Sequence, residues 1–287
     1  MDDLNFVIMG DEKFFDSILL SMKQAQIYYP GARLFVYDWG FKREQVVQLT
    51  EEIGNVHIID WKNIFNSVRA IHVITVQYWF KQFIKKYLYF KEESKYSLYE
   101  KVSKFKMHEY LLMQKPFCIL DCAQRVDGKM IFLDGDVILV NKIDELLDDN
   151  FDVGVTLRRM HEIRYRRNEC KVLNSGVIVF NGTNDKTISF INKWIQTMKF
   201  TYECLIEQTA LTRMIGKENP EIYNKYYQTG VVNASGKSVV VKVFPCEVFN
   251  FNWIEEGVDK SKNKIVHFKG GRHDDAQFIK FIEKLDL

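Results

Sequence analysis

The pattern of apolar and polar positions changes period several times along the chain. Leu4 to Met9 is a short, mainly apolar run and reads as a buried strand. Phe14, Ile18, Leu19, Met22 and Ala25 then recur at helical spacing until Pro30-Gly31 breaks the helix. Leu34 to Tyr37 reads as a second strand. Val46, Val47, Leu49 and Ile53 mark a second helix stopped by Gly54, and Val56 to Ile59 is a third strand. Strand and helix alternating at these lengths predict a mostly parallel sheet with helices on both faces. Asp11, Asp38 and Asp60 each fall just after a predicted strand, where ligands of such sheets bind.

The stretch from Arg69 to Lys115 breaks the pattern. It carries ten Lys/Arg against four Glu, dense aromatics and no Pro or Gly. Trp79, Phe83, Lys86, Tyr87 and Phe90 fit one helical face, so two inserted helices are expected. Beyond it, strands are expected over Lys129–Leu133, Asp152–Leu157, Gly176–Phe180, Ser238–Phe244 and Lys264–Phe268, with Val137–Val140 extended. Asn184 is placed to cap a helix lined by Ile188, Ile191, Ile195 and Met198, and Ala276–Leu285 closes the chain as a helix.

Composition narrows the class. With 287 residues and 47% hydrophobic content the chain can bury a sizeable core without disulfides. Its five cysteines, Cys118, Cys122, Cys170, Cys204 and Cys246, are odd in number and form no C-x-x-C pair. Free thiols in a reducing cytosol are expected, and a zinc site is not. A net charge of +2 gives no nucleic-acid signature. No signal peptide or membrane span is visible, so neither anchor nor stem is expected.

Four segments carry candidate chemistry. In Ile131-Phe132-Leu133-Asp134-Gly135-Asp136-Val137 an apolar strand delivers two carboxylates two residues apart. If the strand continues, both face one side, and Gly135 lets backbone or ligand come close. Two hard oxygen ligands suit Mg²⁺ or Mn²⁺ bridging a diphosphate. In Ile265-Val266-His267-Phe268-Lys269-Gly270-Gly271 a late strand delivers His267 as a third ligand, beside glycines whose N–H groups can meet phosphate. Taken alone, His267 would read as a core histidine. Leu173-Asn174-Ser175-Gly176-Val177 opens a buried strand, so Asn174 can face a cleft. Glu207-Gln208 sits on a helical stretch.

Taken together and in this order, these segments resemble the GT-A glycosyltransferases of the family 8 type and related nucleotide-diphospho-sugar transferases. The resemblance covers nearly the whole chain apart from the insertion. It implies a Rossmann-like α/β GT-A fold and a retaining transfer from a UDP-sugar. It implies that Asp134, Asp136 and His267 bind Mn²⁺ (or Mg²⁺) with the diphosphate. Met9, Gly10, Asp11 and, more loosely, Lys13 would hold the nucleoside, and Asn174, Ser175 and Gly176 the donor sugar. Glu207 and Gln208 would lie near the anomeric carbon, and Lys115 would touch the donor. The family's G-x-x-K-P-W is absent, and Gly270-Gly271-Arg272-His273-Asp274 stands in its place, so Arg272 or His273 is the substitute phosphate ligand. Glu207 replaces the common Asp.

The expected organisation is one catalytic domain over 1–287. Residues 1–140 form the nucleotide half with the insertion at about 69–115, and 141–287 form the sugar and acceptor half. The acceptor is a glycan, a lipid-linked glycan or a protein. The insertion is either a structural helical pair, the favoured reading, or an acceptor or membrane-surface site built on Lys81, Lys85 and Lys86 beside Trp79, Phe80 and Phe83. The expected location is the cytoplasm, with peripheral membrane contact under the second reading. Two rivals stand. One is a haloacid dehalogenase-type phosphatase with Asp134 as nucleophile, though that motif normally follows the first strand. The other is an inactive sugar-nucleotide-binding protein.

Overall fold

The computed structural model describes residues 4–65, 110–161, 172–201, 205–268 and 283. The chain begins with β1 (Leu4–Gly10), α1 (Phe15–Tyr28), β2 (Arg33–Asp38), α2 (Arg43–Ile53), β3 (Val56–Asp60) and a short α3 (Trp61–Phe65). After the undescribed residues come α4 (Lys115–Arg125), β4 (Lys129–Asp134), β5 (Val137–Leu139), β6 (Val153–Leu157) and β7 (Leu173–Phe180). The remainder is α5 (Asp185–Met198), α6 (Ile206–Glu218), β8 (Thr229–Ala234), β9 (Lys237–Pro245), α7 (Cys246–Phe249) and β10 (Ile265–His267).

Eight strands form one mixed sheet in the order β3-β2-β1-β4-β7-β6-β9-β8. The first four are mutually parallel, β7 runs antiparallel between β4 and β6, and β6 and β9 are again parallel. Apolar side chains alternate to both faces. One face packs α4, α5 and α6 through Cys118, Ile119, Phe190, Trp194, Ile206 and Leu211. The other packs α1 and α2 through Ile18, Met22, Leu49 and Ile53. Helices therefore cover both faces, as the periodicity predicts.

The predicted early elements are all present, and Gly54 caps α2 at a φ of 66°. Two local readings change. The strand carrying Asp134 does not run on through Asp136: β4 ends at Asp134, the chain turns, and β5 leaves the main sheet to pair antiparallel with β10. The turn is held by Ser17, whose hydroxyl donates to the Gly135 carbonyl at 2.5 Å. Asn174-Ser175-Gly176 does not precede its strand but lies within β7. There the register against β6 jumps, with Val155 opposite Ile178 and Thr156 opposite Asn174. Strand β8, not expected from sequence, pairs with β9 through the two-residue turn Ser235-Gly236.

Most of the insertion, the loop over 162–171 and the closing segment lie outside the described residues, and so do Lys81, Lys85, Lys86, Gly270 and Arg272. Lys115 belongs to α4, whose first turn contains Pro116, a position where the missing N–H costs nothing. Among the described residues no helix is long and apolar enough to cross a membrane.

Candidate active site at the carboxyl end of β4

Three elements converge where β4 ends. Asp134, Asp136 and His267 bring one ligand atom each to within 4.8 Å of one another. The two carboxylates meet because of the turn, not through strand alternation. A Cβ on Gly135 would come within 2.8 Å of the Met9 carbonyl, so only glycine lets the turn pack onto β1. His267 arrives from β10, in register opposite Val137 of β5, and the Phe268 N–H donates to the Asp136 carbonyl at 2.8 Å. His267 Nε2 lies 3.1 Å from Asp136 Oδ1.

The bulged strand β7 forms the floor. A Cβ on Gly176 would lie 2.5 Å from His267 Cε1 and 3.2 Å from Asp134 Oδ2. The bulge and the missing side chain therefore let the imidazole and carboxylate meet over bare backbone. Asn174 turns its Oδ1 to the Gly176 N–H at 3.2 Å. Its Nδ2 is buried without a hydrogen-bond partner.

Behind Asp134 lies an ionic block. Lys115 is 1% exposed. Its Nζ sits 2.8 Å from Asp134 Oδ1, 3.4 Å from Glu207 Oε1 and 3.0 Å from Ser175 Oγ. Ser175 Oγ donates to Glu207 Oε1 at 3.0 Å, and the Ser175 N–H donates to Gln208 Oε1 at 3.1 Å. Glu207 Oε2 is buried with no partner. Burial works against the Lys115 ammonium, but the charges of Asp134 and Glu207 outweigh it and hold its pKa above the ordinary range. Burial likewise opposes the Asp136 carboxylate. The charge and hydrogen bond of His267, with smaller help from the backbone and Lys115, keep its pKa below the usual value.

The structure brings together Asp134, Asp136, His267, Lys115, Asn174, Ser175, Gly176, Glu207 and Gln208. Met9 joins them as the strand partner of Asp134. Asp11 stands at the same end of the sheet and caps the following turn, accepting from the Lys13 N–H at 3.1 Å, while the Lys13 side chain is exposed. Sequence reasoning missed Asn250 and Thr156, which stand directly behind His267 and Asn174. Asn250 sits in the run Phe249-Asn250-Phe251-Asn252-Trp253, which alternates apolar and polar as an ordinary half-buried strand does, so no local signal set it apart.

One ammonium faces three carboxylates here, counting Lys115 against Asp134, Asp136 and Glu207. With a neutral imidazole the site carries an excess of two negative charges and an open corner lined by hard oxygens and one nitrogen. That donor set fits Mn²⁺ or Mg²⁺.

No protein-family model matches the sequence, and no curated protein sequence matches it either. Solved structures do. The galactosyltransferase LgtC, in complex with donor and acceptor sugar analogues, aligns at a TM-score of 0.53 with 13% identity, over 98% of this chain and 95% of LgtC. GlyE of Streptococcus pneumoniae aligns at 0.55 with 12% identity, over 99% of this chain and 60% of GlyE. The bifunctional glycosyltransferase WbbM, in its apo form, aligns at 0.52 with 14% identity, over 93% of this chain and 46% of WbbM. The likeness is one of fold: the chain has the GT-A glycosyltransferase fold.

Proposed function

We propose that this protein is a metal-dependent glycosyltransferase that moves a sugar from a nucleotide-sugar, most simply a UDP-sugar, to an acceptor hydroxyl with retention of configuration. The observation that carries the reading is the meeting of Asp134, Asp136 and His267 in one open corner at the end of β4. Directly beside it stand two buried, unpartnered polar atoms, Asn174 Nδ2 and Glu207 Oε2. One is a donor and the other an acceptor, as sugar hydroxyls require. The shared fold favours this reading over the phosphatase.

In this assignment Asp134 Oδ2, Asp136 and His267 Nε2 hold Mn²⁺ or Mg²⁺. A divalent ion there would offset the charge growing on the departing nucleoside diphosphate. Met9, Gly10, Asp11 and Lys13 receive the nucleoside. Lys115 takes Asp134 Oδ1, which fixes that carboxylate and leaves its second oxygen free. Asn174 and Glu207 hold the donor sugar. Gln208 fixes Ser175 through its carbonyl and shapes the charge near the anomeric carbon. An amide is a poor nucleophile, so we favour front-face attack. The bond from the anomeric carbon to the acceptor oxygen forms as the bond to the diphosphate breaks, and the leaving phosphate oxygen takes the acceptor proton. Residues 1–140 would serve the nucleotide and 141–287 the sugar and acceptor.

The test is a screen of nucleotide-sugars for slow hydrolysis by the purified protein, with Mn²⁺ and with EDTA. At least one UDP-sugar is expected to be cleaved, and EDTA is expected to stop it. Folded protein that binds none of the tested nucleotide-sugars and cleaves none overturns the reading. Binding without cleavage would point to the inactive binding protein.

A further inference from the structure

The imidazole of His267 has two nitrogens, and only one faces the carboxylates. Nε2 points to Asp136, while Nδ1 lies 2.8 Å from Asn250 Oδ1. Asn250 is fully buried and does not touch the open corner. Its neighbour Phe251 bridges to Val266, and the His267 N–H donates to the Phe251 carbonyl at 2.8 Å, which places the two side chains side by side.

Which nitrogen of His267 carries a proton follows from a chain of donors and acceptors with a fixed end. The Asn174 carbonyl can only accept. Thr156 Oγ1 lies 2.6 Å from it, so the hydroxyl proton is spent there. The hydroxyl oxygen must then accept from Asn250, whose Nδ2 stands 2.8 Å away. The same Nδ2 also lies 3.3 Å from the Asn174 carbonyl. Both contacts demand the NH₂ end of the amide, so the oxygen end must face His267. A carbonyl oxygen cannot donate, so Nδ1 must bear a proton, whether or not Nε2 bears one against Asp136.

We propose that Asn250 is a positioning residue. Through Thr156 and the Asn174 carbonyl it keeps a proton on His267 Nδ1, so that Nε2, which faces the Asp136 carboxylate, is the nitrogen left to a cation. The proposal rests on the metal reading above for its cation end. It also joins two parts of the site, because the carbonyl that fixes the amide belongs to Asn174, whose side chain is given to the sugar in the reading above. Partners that orient a ligating histidine in this way are worth roughly 10–100-fold in metal affinity.

The test compares the parent with Asn250→Leu, Asn250→Asp and Thr156→Val. Mn²⁺ binding is read by the EPR signal of free ion. The protonated nitrogen is read from nitrogen-15 spectra of histidine-labelled, metal-free protein, with His267 identified by its loss in His267→Gln. Asn250→Leu keeps the volume and removes the acceptor. It should weaken Mn²⁺ about 10–100-fold and remove the proton from Nδ1, leaving His267 protonated only at Nε2, against Asp136. Asn250→Asp keeps an acceptor at Nδ1 and should retain the Nδ1 proton and most of the affinity. Thr156→Val leaves both residues in place but frees the amide to turn, and should fall between them. If Asn250→Leu does not fold, the ordering of the other two against the parent decides. A purely structural Asn250 would leave the affinity and the protonated nitrogen unchanged in every folded variant, which overturns the proposal. A parent that binds no Mn²⁺ overturns the metal reading and the cation end together, and the nitrogen spectra then still decide whether Asn250 sets the tautomer.

Discussion

The two sides of Asp134 are built in opposite ways. On one side, Lys115, Glu207, Ser175 and Gln208 form a block between α4, α6 and β7, rooted in the main core. Trp194 adds to it by donating from Nε1 to the Glu207 carbonyl at 2.7 Å. On the other side, Asp136 and His267 sit on a turn and on the small two-stranded sheet β5–β10. The block places its one ammonium between Asp134 and Glu207. The corner gathers carboxylates with an imidazole and a share of that ammonium to answer them. The block thus holds Asp134 in place, with only Glu207 Oε2 left over for the proposed sugar, and under the proposed function the corner is a receptor that a cation would complete.

The sharpest way to break that contrast is to remove one charge from each side. Asp136→Ala should lower Mn²⁺-dependent donor hydrolysis by about 10²–10³-fold, the scale of a lost metal contribution of several kcal/mol. The melting temperature should fall modestly, because the lowered pKa of Asp136 marks its ionised form as held in the fold by His267. Activity at the parent level in that variant would empty the corner of its role. Lys115→Met should cost far more stability. It strands Asp134 and Glu207 without their cation, and breaking such a buried pair costs about 3–5 kcal/mol. Adding Glu207→Gln to Lys115→Met should return part of that loss. Denaturant titration reads both variants, and a double variant no more stable than Lys115→Met alone would show that the block is not coupled.

A smaller effect separates binding from turnover at the junction. Gln208→Ala leaves the buried Ser175 N–H without its acceptor, worth about 1–3 kcal/mol. It should lower kcat more than it raises KM if, as proposed, Gln208 and the strand it fixes lie beside the anomeric carbon. Asn174→Ala should mainly raise KM for the donor or relax sugar choice. Steady-state kinetics on the best nucleotide-sugar distinguish the two, and identical effects would erase the distinction between them.

The block and the corner were not equally legible in the sequence. Helices α1 and α2 could be read from their apolar spacing, and β1, β2 and β4 from short continuous apolar runs that the sheet buries. The D-G-D carboxylates and His267 stood out because acids and an imidazole at strand ends are conspicuous. The way they meet was hidden. The turn after Asp134 depends on Ser17, 118 residues away, and on a close approach to Met9. The β7 bulge is a register event against β6 that no single strand displays. Asn250 matters only through partners 17 and 94 residues distant, so nothing local marks it. Edge strand β8 was missed because Thr229, Val231 and Asn233 are exposed and leave only a weak apolar stripe.

The gentlest probe of the contrast uses the thiols of α4, the helix that begins with Lys115. Cys118 and Cys122 are fully buried. Burial pushes the Cys118 thiol well above its ordinary pKa, and the Cys122 thiol up to about 12. Reaction needs the thiolate, which at pH 8 is then scarcer in Cys122 by roughly 10³-fold than in a free cysteine. Alkylation followed by peptide mass spectrometry should therefore find both thiols slow, with rates that rise with pH and report opening of the block. Mn²⁺ is expected to change those rates by less than about twofold, because the ion completes the corner and adds no contact to α4. Slowing by more than about tenfold on adding Mn²⁺ would show that block and corner open as one cooperative unit. The division drawn between them would then be a difference of chemistry alone and not of stability.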